Sequence, residues 1–133
     1  MQITRQADYA LRAMVYLARH EPNQNAATKV IAETQKIPPS FLAKIISQLS
    51  IAGLIKTSRG ARGGVVLSRP PEDSSLLEVI EAIDGPIALN ECTVAPGNCD
   101  MAGECPLHDI WQETQDDLVA KLRNTRFDKY IHR

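Results

Sequence analysis

The sequence predicts a mainly helical fold with a small β-hairpin wing, organised as a winged helix-turn-helix followed by a long C-terminal helix. Two short helical segments separated by a Pro-Pro pair precede a hairpin with a glycine-rich, basic tip, which is the element order of a winged helix-turn-helix. A further apolar stripe at helical spacing follows near the C-terminus. A chain of 133 residues fits one domain with a short appendage.

The N-terminal half predicts three helices. Thr4 is a good N-cap residue for the first, and an apolar stripe follows it at Ala7, Leu11, Met14 and Ala18. A second helix is predicted over 29–35, with Thr28 as its cap and with Val30 and Ile31 facing inward. The pair Pro38-Pro39 ends it, because the residue before a proline avoids helical geometry. A third helix begins near Pro39 and ends at Gly53.

The remaining elements are predicted from changes in the spacing of apolar and β-prone residues after residue 53. The β-prone runs 54–58 and 65–68 flank the glycine-rich segment 59–64 and predict a hairpin. Helices are predicted over 76–83 and 107–123. We therefore expect a DNA-binding domain over 1–86, a cysteine loop over 87–106, and a dimerisation helix with its tail over 107–133.

Charge is divided unequally along the chain. The net charge is only −1, yet residues 29–69 carry seven basic side chains and one acid, whereas 71–117 carry twelve acids and no Lys or Arg. A basic half of this kind predicts a nucleic-acid surface. The alternative is a solvated basic face on an ordinary helical domain, which the coincidence of basic patch, turn and wing makes less favourable. The predicted DNA-binding residues are Lys29, Ser40, Lys44, Ser47, Gln48, Ser58, Arg59, Arg62 and Gly63.

Three cysteines and a histidine form the other chemical motif. Cys92, Cys99, Cys105 and His108 have the spacing C-x6-C-x5-C-x2-H in a loop directly before a helix, where three thiolates can converge on an iron-sulfur cluster. Zinc is the rival metal, although its sites usually begin with a closer cysteine pair. Buried apolar thiols are a third alternative. His108 is either a fourth ligand or an ordinary surface histidine.

The sequence gives little support for an enzyme, a membrane protein or a protein of an oxidising compartment. No nucleophile elbow, no paired carboxylates with His and no phosphate loop occur, which predicts that the chain is not an enzyme. No long apolar run predicts a membrane segment, and an odd number of cysteines gives no reason to expect an oxidising compartment. We expect a cytoplasmic protein.

Four segments together resemble the iron-sulfur winged-helix transcription regulators of the IscR and NsrR type, the Rrf2 family. They are DYALRAMVYLA, PPSFLAKIISQLSIAGLI, SRGARGGVVLSRP and the cysteine loop ending in CPLH, and the likeness covers almost the whole chain. The resemblance implies a homodimer formed by crossing C-terminal helices, which binds a palindromic operator in double-stranded DNA.

The resemblance also implies roles for single residues. Ser40 matches a base-reading position, and Arg59 matches the wing arginine that enters the minor groove. The three cysteines and His108 match cluster ligands, although the first gap is one residue longer than in the IscR pattern, and Ala43 replaces a glutamate that tunes operator choice there. Asp8 matches a carboxylate ligand supplied across the dimer in NsrR-like proteins; its alternative role is to favour the helix dipole. The fourth ligand and the choice between [2Fe-2S] and [4Fe-4S] stay open.

Two main functional hypotheses follow. In the first, the chain is a transcription regulator, predicted to be a repressor, whose operator affinity is controlled by an iron-sulfur cluster that responds to redox state, nitric oxide or iron-sulfur status. In the second, it is a metal-independent or zinc-containing winged-helix module controlled by a partner protein that binds its acidic half. An electron-transfer protein is a third and weaker hypothesis.

Overall fold

The computed structural model describes residues 2–95, 97, 99–101 and 103–131. Within this part the predicted fold is confirmed: five α-helices accompany one two-stranded antiparallel hairpin. No helix in these residues is long and apolar enough to cross a membrane. In chain order the elements are α1 (Arg5–Arg19), α2 (Thr28–Gln35), α3 (Pro39–Ile51), β1 (Ile55–Ser58), β2 (Gly64–Leu67), α4 (Leu76–Asp84) and α5 (His108–Arg123).

Helix α1 is the centre of the core. Thr4 caps it as predicted, with its side chain accepting a hydrogen bond from the Ala7 amide at 3.1 Å. Its buried stripe includes Ala10 and Met14, both fully buried, and the helix packs against α2, α3 and α4. The small side chains Ala7, Ala10 and Ala13 let these neighbours approach closely. The two helices of the helix-turn-helix, α2 and α3, therefore both pack against α1.

Helix α2 differs from the sequence prediction at two residues, whereas α3 does not. Thr28 is the first helical residue of α2, and Ala27 occupies the cap position without a side-chain hydrogen bond. Val30 is 44% exposed, so the prediction that it faces inward is wrong, whereas Ile31 is fully buried. A helix of eight residues presents only a narrow face to the core, and Ile31 and Ala32 fill it. Helix α3 begins at Pro39 and ends at Ile51 as predicted.

The hairpin pairs Ile55 with Leu67 at its base and Ser58 with Gly64 at its tip. Two glycines are required there by close approach. A Cβ atom on Gly63 would overlap the carbonyl oxygen of Ser58, and one on Gly64, whose φ is +148°, would overlap the carbonyl oxygen of Ala26. Ala26 and Val65 form an antiparallel bridge, so the chain before α2 lies beside β2. This contact fixes the hairpin to the helical domain.

Helix α4 begins with a capping box. The Ser75 side chain accepts from the Glu78 amide, and the Glu78 carboxylate accepts from the Ser75 amide, both at 3.2 Å. Partial burial opposes ionisation of Glu78, but hydrogen bonds from Arg69 and from the Ser75 amide, with the charges of Arg69 and Arg126, outweigh it and lower its pKa. Glu78 therefore holds the guanidinium of Arg69 as an ion pair at 2.8 Å.

The segment after α5 returns to the winged domain. A 3-10 turn over Phe127–Tyr130 follows an antiparallel bridge between Ser75 and Arg126. Phe127 is fully buried in the cluster that contains Met14, and the Tyr130 carbonyl oxygen accepts from Arg19 Nε at 2.6 Å. Both ends of α5 are therefore connected to the winged helix-turn-helix, one through the cysteine loop and one through this turn.

Candidate metal centre and nucleic-acid interface

The three cysteines and His108 line a single cavity of about 170 Å³. Cys92 is buried, and Cys99, Cys105 and His108 are half-buried. All three cysteines are free thiols. The other walls are formed by Asn90, Met101, Gly103 and Trp111. In the described ranges no three Cys, His, Asp or Glu side chains are grouped closely enough to hold a metal ion.

The cysteine loop is attached to α5 by Gln115. This side chain is buried, and its Oε1 accepts a hydrogen bond from the Leu89 amide at 3.0 Å. Asn90 then caps the short 3-10 turn Glu91–Thr93, its Oδ1 accepting from the Glu91 amide at 3.0 Å. These two hydrogen bonds set the position at which Cys92 enters the cavity. No sequence motif predicts this role for Gln115, because it lies near the acidic residues Glu113, Asp116 and Asp117 on a polar part of the helix.

Replacing Gln115 with Leu is expected to lower the free energy of unfolding by about 1 to 3 kcal/mol, because the Leu89 amide would lose its acceptor in a partly buried place. Denaturant unfolding of the purified chain measures this. Gln112→Leu is the matched control, since Gln112 is on the same helix and its hydrogen bond to Asp116 is exposed; a change within about 0.5 kcal/mol is expected there. Equal losses in the two variants would contradict the assigned position of Gln115.

Asp8 does not line the cysteine cavity. It lies in the first turn of α1, where its carboxylate forms an ion pair with Arg12 at 2.7 Å. It lines a separate and more open depression with Thr4 and Arg5. Within one chain, the structure therefore brings together His108 and the cysteines and leaves Asp8 apart.

The predicted DNA-binding residues of α3 divide into two groups. Ser40, Lys44 and Ser47 are exposed on one face, opposite the buried Leu42, Ile45 and Leu49. Gln48 differs, because it is half-buried and its Oε1 is enclosed without a hydrogen-bond partner among the described residues. The exposed side of α3 therefore presents small polar side chains and a single positive charge from Lys44, with Phe41 and Ile51 as exposed apolar neighbours.

The wing supplies the larger part of the basic surface. Arg59 and Arg62 are exposed at its tip, and the Arg62 carbonyl oxygen accepts from the Asn25 side chain at 3.0 Å. A cleft of about 400 Å³ separates the wing from the first turn of α2, and Lys29, Ser58 and Gly63 all line it. The fold thus brings three predicted residues together that are up to 34 positions apart in the sequence. Asn25, whose side chain holds the wing tip through this hydrogen bond, belongs to no motif and was not predicted as a functional residue.

The sequence of the chain is similar to those of known transcription regulators. A family model described as Rrf2, iron-dependent transcriptional regulator, matches residues 3–133. NsrR of Bacillus subtilis (strain 168) is 34% identical over 134 aligned positions, which cover 100% of this chain and 88% of that protein. IscR of Escherichia coli O1:K1 / APEC is 28% identical, over 99% of this chain and 81% of that protein.

A solved structure is similar to this chain in its fold. CymR (YrzC), described as the global cysteine regulator of B. subtilis, has a TM-score of 0.83 at 27% identity, with 98% of this chain and 96% of that chain covered. The winged helix-turn-helix and the basic wing accordingly define a DNA-binding transcription regulator. The chain belongs to the Rrf2 family of iron-dependent transcriptional regulators. The sequence-based prediction that the chain belongs to this family is confirmed. The prediction that it is a regulator and not an enzyme is confirmed with it.

Proposed function

We propose that this protein is a cytoplasmic, homodimeric repressor whose affinity for its operator is set by an iron-sulfur cluster. The observation that carries the proposal is that Cys92, Cys99, Cys105 and His108 all line one cavity. The similarity to NsrR and IscR supports it at the level of the family. A cavity of about 170 Å³ is several times the volume of about 30 Å³ that one water occupies, which suits a centre of several atoms.

The donor set fits such a cluster. Thiolates are the usual ligands of iron-sulfur clusters, and the three cysteines here are unpaired. The fourth ligand is His108 from the same chain or Asp8 from a second copy, since Asp8 is on another surface of its own chain. When bound, the cluster would supply a redox-active and nitric oxide-reactive centre, either [2Fe-2S] or [4Fe-4S].

The chain offers a continuous route from this cavity to the DNA-binding surface. Gln115 ties the loop to α5, and the next turns of α5 pack through Leu118 and Leu122 against Leu77 and Ile80 of α4. Helix α4 in turn packs against α1 and α3. A loop held in place by cluster ligands would therefore bias the position of α3, and a coupling of about 1 to 3 kcal/mol would change operator affinity 5- to 150-fold.

An unpartnered apolar surface supports the homodimer. Leu107, Ile110 and Trp111 of the N-terminal part of α5 are 53%, 48% and 37% exposed, and Val94 and Met101 of the cysteine loop add to the same region of the chain. Exposed apolar clusters of this kind mark interfaces. A second copy would cover them with its own α5, in agreement with the crossing helices that the family resemblance implies.

Two kinds of DNA contact are proposed. Ser40, Lys44 and Ser47 enter the major groove on α3, and Arg59 and Arg62 contact the minor groove or phosphates from the wing. Lys29 binds a phosphate in the cleft beside the wing, where the first turn of α2 has no side-chain cap to occupy its amides. Gln48 and Ser58 contribute from the edges of these surfaces.

Replacing Lys29 with Ala is expected to weaken operator binding similarly for all sequences and to reduce the salt dependence, with the slope of log K against log salt falling by about one for each subunit. Fluorescence anisotropy with a labelled operator at several salt concentrations measures both. Lys129→Ala removes the same charge from an exposed position on the C-terminal turn and should leave the slope unchanged. A slope equal to wild type in K29A would exclude the phosphate contact.

The cluster is tested by the visible spectrum, iron content and sulfide content of protein purified without oxygen. Trp111 provides a second signal, because it is the single tryptophan of the chain and lines the cysteine cavity. A centre that absorbs visible and near-ultraviolet light beside it would quench its fluorescence. We expect a coloured protein with weak fluorescence that rises when the cluster is removed. A colourless protein that cannot be reconstituted would refute the cluster.

A regulator controlled by thiol chemistry without a cluster is the second candidate. The similarity to the B. subtilis global cysteine regulator favours it, together with three free thiols around one cavity. In this case the protein would be colourless when purified anaerobically, and its operator affinity would change on treatment with a thiol oxidant and recover with a reductant. Inorganic sulfide distinguishes the two candidates, because only the first contains it.

A further inference from the structure

A second cavity lies at the base of the wing, between the loop after α1 and the end of β2. Its volume is about 320 Å³, at the lower end of the range of about 300 to 1,000 Å³ found for small-molecule sites. It shares no lining residue with the cysteine cavity or with the proposed DNA contacts. One wall is apolar and is formed by Leu17, Leu67 and Pro70.

Two nitrogen atoms beside this cavity lack hydrogen-bond partners. Of the three buried side-chain polar atoms left unpaired in the described residues, two are His20 Nε2 and Arg69 Nε, and both residues line the cavity. The far end of Arg69 is held by Glu78 at 2.8 Å. The His20 ring stacks on Tyr16 with a centroid distance of 5.8 Å. An enclosed polar group without a partner is unfavourable, and a ligand that accepts a hydrogen bond from it would remove that cost.

The chemistry of the two nitrogens defines the ligand. Arg69 Nε is only a donor and carries part of a positive charge, and His20 can donate from Nε2. A carboxylate accepts two hydrogen bonds at once, and the apolar wall suits a short hydrocarbon or aromatic group. We propose that this cavity binds a small monocarboxylate, with the carboxylate on Arg69 and His20 and the apolar group against Leu17 and Leu67.

Binding requires only a local change. Both nitrogen atoms are enclosed in the free protein, so both side chains must shift. The imidazole would turn about its terminal torsion, which is broad for histidine, and the Arg69 guanidinium would rotate while Glu78 holds its far end. The ligand would touch β2, the strand that leads from the wing tip, and the loop that pairs with it through Ala26 and Val65. The site is therefore placed to act on the wing independently of the cysteines.

The test is an NMR titration of the full chain with acetate, hexanoate and benzoate as probes, with benzamide as the uncharged analogue of benzoate. We expect saturable amide shifts at cavity residues such as Asn23 and Leu67 with at least one carboxylate. His20→Phe keeps the ring that stacks on Tyr16, and Arg69→Lys keeps a charge beside Glu78, so both variants should fold. Each is expected to weaken binding about tenfold or more, because a charge-assisted hydrogen bond is lost.

Arg123→Lys, an exposed position on α5, is the matched control and should bind the probe as wild type does. Benzamide should bind at least about tenfold more weakly than benzoate if charge matters as proposed. The proposal is overturned if none of the three carboxylates gives saturable shifts at these residues, if both cavity variants bind like wild type, or if benzamide equals benzoate. None of these outcomes bears on the cluster or on operator binding.

Discussion

Cys105→Ala is expected to yield a protein without visible absorption, without inorganic sulfide and with bright Trp111 fluorescence. Cys105 lies three residues before the start of α5 and lines the cavity with Cys92 and Cys99. Its removal would leave at most two thiolates, too few to retain a cluster that is usually held by four ligands. Its side chain is half-buried, so the change removes a thiol without opening a hole in the core.

The effect on DNA follows from the same loss. Operator affinity of C105A should equal that of wild type stripped of its cluster and should differ from the loaded form by about 5- to 150-fold. Anisotropy titrations of the three samples under anaerobic conditions give this comparison. A difference below about twofold between loaded wild type and C105A would separate the cysteines from DNA binding.

Met101→Leu is the matched control for this experiment. Met101 also lines the cavity and contains sulfur, but its thioether is not a thiolate, and it is 49% exposed. The variant should keep colour, sulfide and the fluorescence quenching of Trp111. Full cluster content in C105A, or loss of the cluster in both variants, would contradict the ligand assignment.

Phe127→Ala is expected to lower the free energy of unfolding by about 3 to 5 kcal/mol. The ring is fully buried in the main core cluster, although it comes after the last helix. Its removal would leave a cavity beside α1 and would weaken the bridge between Ser75 and Arg126. A loss of this size approaches the whole stability of a small domain. Denaturant unfolding followed by circular dichroism measures it.

The other phenylalanine of the chain is the control. Phe41 is 42% exposed and contacts Tyr9, with ring centroids 6.0 Å apart, so Phe41→Ala should cost about 1 kcal/mol. A cost for F127A no greater than that for F41A would show that the C-terminal turn is dispensable for the fold. A larger cost would show that α5 is fastened at its C-terminal end to the DNA-binding half.

The local features of the fold were predictable from the sequence. Thr4 and Pro39 mark helix starts through their own chemistry, and Gly53, with φ +79°, follows the end of α3. The spacing of apolar residues gave the buried stripe of α1, and the glycine-rich segment gave the wing. That the three cysteines and His108 line one cavity followed from their closeness in sequence, because a short loop before a helix has few ways to separate them.

Only the tertiary structure decided which surfaces meet. Val30 has the spacing of an inward residue but is exposed, since α2 offers a narrow face that Ile31 already fills. Gln48 has the spacing of a groove residue but is half-buried. Asn25 and Gln115 are polar residues without a motif, and each acquires its position from a hydrogen bond to a distant amide or carbonyl group.

The C-terminal turn gives the physical reason most clearly. Local periodicity reports which side of a helix is apolar, but Phe127 belongs to no periodic segment, and its burial depends on α1 and on Ser74 and Ser75, more than 50 positions away. Caps, turns and ligand spacing are set by neighbouring residues and can be inferred from the sequence. Packing partners are determined by long-range contacts that compete for the same core. The sequence alone left these partners undecided.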